Sequence, residues 1–144
     1  ISIIPAIIIE LINGYKSVGQ KNHVNTALKT VHIAHISRFV HDQITPKSPF
    51  TTPGFTKDKL LDFSAIPESE WSEYFLHKEL TFISLKKWIR VQIAKKLIAE
   101  GYLDTYSVEA LSADIGYRSR SSFYSAFVQT EGISFMEYRE RIKN

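Results

Sequence analysis

Apolar residues recur at helical spacing along most of this chain, and polar breaks punctuate them. Val24, Ala27, Leu28, Val31, Ile36 and Val40 predict a helix over 24–43. Before it, 14–25 is polar and glycine-containing and reads as a linker. The first dozen residues, ISIIPAIIIELI, are nearly all apolar, and strand signals are weak everywhere after them. Pro46, Pro49, Pro53 and Gly54 break the pattern and predict a loop over 45–55. Thr56 then caps a short helix over 57–63, with Leu60 and Leu61 facing inward. A tight turn at 64–67 leads into a helix over 68–78, with Trp71, Tyr74 and Phe75 at core spacing. A long helix over 82–100 stops at Gly101. Ser107 caps 108–114, where Val108, Leu111 and Ile115 repeat at helical spacing. Gly116 occupies the following turn, where a left-handed backbone costs glycine little. Ser119 caps a helix to about Thr130 with Phe123, Ala126 and Phe127 on one side. Gly132 ends that helix, and 135–142 closes the fold.

Short helix, turn, helix therefore occurs twice, at 57–78 and 108–130, each followed by a segment that starts with an aromatic, Phe82 or Phe135. This is a weak repeat of supersecondary structure with little residue identity. The second copy is the more telling. Segment 107–139 reads as a helix-turn-helix whose last helix turns Arg118, Ser119, Arg120, Ser121, Tyr124 and Ser125 away from Phe123 and Phe127. No acid lies between Ile115 and Gln129. Arginine can grip guanine with two hydrogen bonds, serine can serve a base edge or a phosphate, and a helix N-terminus favours phosphate. Arg118 and Ser119, at that N-terminus, are the candidate phosphate contacts of this helix.

Composition narrows the field without deciding it. The 144 residues suit one ordinary domain or two very small ones, and 44% apolar with 23% charged is a globular mixture. A net charge of +3 permits nucleic-acid binding but does not require it, so the placement of charge decides. The absence of cysteine excludes disulfides, cysteine zinc sites and thiolate catalysis, and it fits a reducing compartment. No G-x-S-x-G, P-loop or G-x-G-x-x-G occurs, and Asp104 and Asp114 are too isolated to argue for acid-base work, so no enzyme is expected. His32, His35 and His41 share one predicted helix, but only Asp42 offers a nearby carboxylate, so they read as scattered histidines and not a metal site. No cofactor is expected. The apolar leader is too short to span a bilayer and is broken by Pro5 and Glu10. It reads either as a buried leader or as the tail of a membrane or sensor segment, and it lacks the marks of a signal peptide. A chain that begins with Ile is expected to be a fragment of a longer protein, its signal-sensing part lying upstream.

Over 56–139 the chain resembles the AraC/XylS family of bacterial transcription regulators. The residues that carry the likeness are Ile115, Gly116 and Tyr117, then Ser119, Phe123 and Phe127, then Gly132, Tyr138 and Arg139. Arg90, Ala94 and Leu97 add the signature of the family's linker helix, and Pro49 and Phe50 stand before the Thr-led helix as in multidomain regulators. The resemblance implies two helix-turn-helix subdomains joined by a rigid linker helix, each offering a recognition helix to successive turns of one DNA face. A helix over 82–100 would be roughly 28 Å long, close to the roughly 34 Å between adjacent major-groove segments on one face. Its apolar residues Leu85, Trp88, Ile89, Val91, Ile93, Leu97 and Ile98 are not confined to one stripe, which suits a helix touching a subdomain on each side.

Carried over position by position, the resemblance puts base contacts on Arg120, Ser121, Tyr124 and Ser125 of the second unit. In the first unit the corresponding positions are Ser69, Ser72 and Glu73. There Glu68, Glu70 and Glu73 make the leading end acidic, and Pro67 replaces the usual capping hydroxyl. Carboxylates suit the helix dipole but repel phosphate, although glutamate can accept from cytosine. Both a weak specific contact and a structural or protein-facing role fit that helix. The linker adds Lys86, Lys87, Arg90, Lys95 and Lys96, with no acid before Glu100. Lys86 and Lys87 are candidate phosphate contacts, while most of the set reads as a solvated face plus one buried ion pair from Arg90.

The expected molecule is all-α, with an extension over 1–50 that includes one extra helix and a DNA-binding unit over 51–144. The latter divides into a first helix-turn-helix (56–81), a linker helix (82–100) and a second helix-turn-helix (107–142). The expected function is sequence-specific binding of double-stranded DNA in transcription regulation, chiefly through the second recognition helix. The alternative is a degenerate regulator working as a protein-interaction module. RNA polymerase and an upstream effector or sensor domain are candidate partners. The expected location is the cytoplasm, with membrane attachment if the leader is the end of a spanning segment.

Overall fold

The structure, a computed structural model, describes residues 21–144. The apolar leader and most of the expected linker lie outside the described residues. Eight α-helices follow in order: α1 (Lys21–Asp42), α2 (Lys57–Ser64), α3 (Glu68–Lys78), α4 (Phe82–Ala99), α5 (Tyr102–Thr105), α6 (Val108–Asp114), α7 (Arg120–Glu131) and α8 (Phe135–Lys143). Among the described residues there is no strand, and no helix is long and apolar enough to cross a membrane.

Helix starts follow local chemistry. The hydroxyls of Thr56, Ser107, Ser119 and Ser134 each accept a hydrogen bond from the backbone N–H three residues on. Thr81 and Ser84 cap each other reciprocally at the start of α4. Like the short α5 after Gly101, α3 begins without a side-chain cap, because Pro67 has no group to offer. It gains instead from Glu68 and Glu70 in its first turn, which suit the positive end of the helix dipole.

Two expectations need correction. α1 begins at Lys21, so the end of the expected linker, 21–25, is helical; Lys21, Asn22 and His23 carry no core stripe, yet none of them is a Gly or Pro that would break a helix. The loop over 45–55 holds a 3-10 turn, Pro49–Thr51, capped by Ser48, and Phe50 within it is fully buried. A further element, the single-turn α5 after Gly101, carries too short a pattern to register as a helix.

The core runs from Ile36 and Val40 of α1 through Leu60, Trp71, Leu85, Ile89 and Ile93 to Phe123, Phe127 and Phe135. α4 is its axis. Leu85, Ile89 and Ile93 line one side of α4, while Val91 and Ala94 are buried around another, as the spread of its apolar residues predicts. α1 packs on α3: Phe39 meets the edge of Trp71 at 5.9 Å and also contacts Phe63 at 5.8 Å. Phe75 and Leu61 are only half-buried, so the innermost layer of the first unit rests on Trp71, Tyr74 and Leu60.

Candidate nucleic-acid interface

α6, the Gly116 turn and α7 form the second unit, and a buried arginine sets their position. Arg90, 5% exposed, donates from Nε to the Phe50 carbonyl (2.7 Å) and from Nη2 to the Thr52 carbonyl (2.9 Å). Its guanidinium lies 5.0 Å from the Tyr117 ring centre. The expected buried ion pair is therefore absent; two carbonyls and an aromatic face hold this cation among the described residues. Burial pushes the Arg90 pKa below its ordinary value, partly offset by Tyr117, and pushes the Tyr117 hydroxyl up, partly offset by Arg90. Gly116 passes so close that a Cβ would stand 2.6 Å from the Thr51 carbonyl oxygen and 2.8 Å from the guanidinium. Its φ of +100° is also a conformation that favours glycine. Loop, linker helix and turn are thus pinned together at the entry to α7.

α7 has two faces. Phe123, Ala126 and Phe127 are buried against Phe135 and α4. Arg118, Ser119, Arg120, Ser121 and Ser125 are exposed on the opposite face. Tyr124 sits between the two, half-buried, with its ring stacked on Phe135 at 5.4 Å. Arg120 lies 5.8 Å over that ring and pairs with Glu109 of α6 at 2.9 Å. Both partners of that pair are more than half exposed. No acid neighbours Arg120 along the chain, but the turn brings one to it.

A trough of about 400 Å³ joins part of the expected set, since Lys87 of the linker lines it with Ser121 and Ser125 of α7. Gln129 completes this row, accepting from the Lys87 ammonium and donating to Ser125 Oγ at 3.0 Å. The sequence reading missed Gln129; its position four residues after Ser125 was the available signal. Lys86 is not in the trough. Its ammonium donates to the Phe55 carbonyl at 3.1 Å, and burial, with Arg90 second, lowers its pKa.

The first unit is arranged differently. Ser69 and Ser72 of α3 are exposed, and the Ser72 hydroxyl donates back to the Glu68 carbonyl at 3.0 Å. Glu73 is turned towards α1. Its Oε2 lies 3.8 Å from His32 Nδ1 and is enclosed without a hydrogen bond, while Glu70 approaches His32 Nε2 at 3.7 Å. Glu68 pairs with Lys57 at 2.9 Å. The acidic edge of α3 therefore borders α1, and its hydroxyls look outward.

The chain is similar to known proteins in sequence and in fold. The sequence profile of a helix-turn-helix domain family matches residues 67–141. The RCS-specific HTH-type transcriptional activator RclR of Escherichia coli K12 is 38% identical over 55 residues. That stretch is 38% of this chain and 18% of RclR, so the chain matches less than a fifth of that relative's length. The C-terminal domain of AraT, a response regulator from Geobacillus stearothermophilus, superposes with a TM-score of 0.55 at 17% identity, over 76% of this chain and 84% of that domain. At that identity the likeness concerns the fold alone.

Proposed function

The chain belongs to the AraC/XylS family of helix-turn-helix transcription regulators, and from that premise we propose that it reads double-stranded DNA mainly by laying α7 in the major groove. Arg120, Ser121, Tyr124 and Ser125 face bases; Arg118, Ser119 and Lys87 hold phosphates. Lys86, tied to the Phe55 carbonyl, reaches a phosphate only by leaving it. Ser69 and Ser72 of α3 add weaker contacts, and Glu73 joins them only if α1 moves aside.

One observation carries the proposal: a helix face of arginines and hydroxyls, exposed and free of acids of its own, next to a linker ammonium in a shared trough. Phosphate attraction supplies affinity, and side chains at base edges supply specificity. Arg120→Ala should cost about 1–3 kcal/mol of operator affinity and relax one base preference. Binding-site selection followed by titration of the selected duplex checks this; equal affinity and an unchanged preference would remove Arg120 from the reading set.

The second reading, a protein-facing first unit, is favoured by Leu76, which is 81% exposed on α3. An apolar side chain there suits a protein surface such as that of polymerase better than a phosphate backbone. An effector or sensor part and RNA polymerase are the partners this proposal would add.

A further inference from the structure

We infer that the cavity enclosed by α1, α3, α4 and the end of α7 is a binding site for a small molecule with an aromatic body and a single anionic head group. The cavity measures about 580 Å³, within the roughly 300–1,000 Å³ typical of small-molecule sites. Its floor is apolar: Val40, Tyr74 and Leu85 are buried, and Leu80 is half-buried. Trp88 closes one side. The other tryptophan, Trp71, is fully buried in the core, whereas Trp88 is 39% exposed and lines this cavity. A flat aromatic partner is what an indole and a phenol ring accommodate best.

Charge selects the head group. Lys78, Lys87 and His41 line the cavity, and no carboxylate does among the described residues. Among the described residues Lys78 has no ion-pair partner, and Lys87 is bonded only to the neutral amide of Gln129. Two ammonium groups beside an apolar floor, neither balanced by a carboxylate, form a receptor for one anion at the edge of a hydrophobic body. The walls come from α1, α3, the linker helix and the end of α7, so the occupant would bridge those four elements. Lys87 and Gln129 also line the trough on the outer face of α7, so the two cavities share a wall.

The test is a titration of the full chain, without DNA, with biphenyl-4-carboxylate and its neutral isostere biphenyl-4-carboxamide, read by tryptophan fluorescence and calorimetry. The carboxylate should bind saturably, quench the exposed Trp88, and bind about tenfold tighter than the amide, the worth of one charge-assisted contact. Lys78→Gln, at an exposed position that leaves the core intact, should erase most of that preference while leaving the amide's affinity unchanged. Trp88→Phe should abolish the quench while calorimetric binding persists. No saturable binding, equal affinity for the two compounds, or a preference that survives Lys78→Gln would each overturn the assignment. Because no DNA is present, the result is separate from that of the Arg120 substitution.

Discussion

Arg120 enters any DNA complex with a partner to lose. In the free protein its guanidinium is held by Glu109 at 2.9 Å, in a pair open to solvent on both sides. Such pairs contribute about 0–1 kcal/mol, so the arginine can be recruited by a base at modest cost. Glu109→Gln should therefore raise DNA affinity by up to about 1 kcal/mol, or fivefold, on operator and random duplex alike. Equilibrium binding at fixed salt measures it; a loss of affinity would mean that Glu109 positions Arg120 in the complex and does not compete for it. Arg90 contrasts with Arg120. Its two carbonyl bonds and the Tyr117 face make it a strut, and its family position marked it without revealing those partners. Phe50 and Thr52 accept through backbone oxygens some forty residues away, and backbone acceptors leave no trace in side-chain pattern.

Among the elements, α3 and α7 occupy equivalent places in the repeat and have diverged in charge. α7 is open on its polar face, whereas α3 has its acidic edge against α1, with Ser69, Ser72 and Leu76 among the residues looking out. Ser72→Arg puts a cation on that outward face without disturbing the α1 contact. If α3 lies along the duplex, the slope of log affinity against log salt should steepen by about one and non-specific binding should strengthen. An unchanged slope would leave α3 to its protein-facing role. The starts of α2, α6 and α7 could be read directly from the sequence, because Thr56, Ser107 and Ser119 cap by bonds three residues long. The α1–α3 packing could not, since Phe39 and Trp71 are distant in sequence and either could have packed elsewhere. The same holds for Glu109 and Arg120, which only the Gly116 turn brings together. The face of α7 was legible because one helix carries it; the trough needed Lys87 from another.

For the molecule as a whole, the question is whether two helix-turn-helix units behave as two bodies. Each has its own aromatic cluster, Trp71 with Tyr74 and Phe75 in one, Phe123 with Phe127 and Phe135 in the other. Yet the buried core is continuous between them through Leu85, Ile89 and Ile93 of α4. Several bonds reinforce that continuity. Arg90 ties the 49–52 segment to α4 and Tyr117, while Lys95 and Gln92 of α4 both hold Glu131 at the end of α7, at 3.0 and 3.1 Å. Melting one unit would expose the face of α4 that the other shares, so partial unfolding would forfeit burial in both. A single cooperative transition is expected in denaturant. In the Trp88→Phe variant tryptophan fluorescence reports the first unit through Trp71 alone, and far-UV circular dichroism reports helix throughout. The two curves should coincide; a fluorescence transition that precedes the loss of helix would show the first unit melting alone, with α4 transmitting no stability between the units.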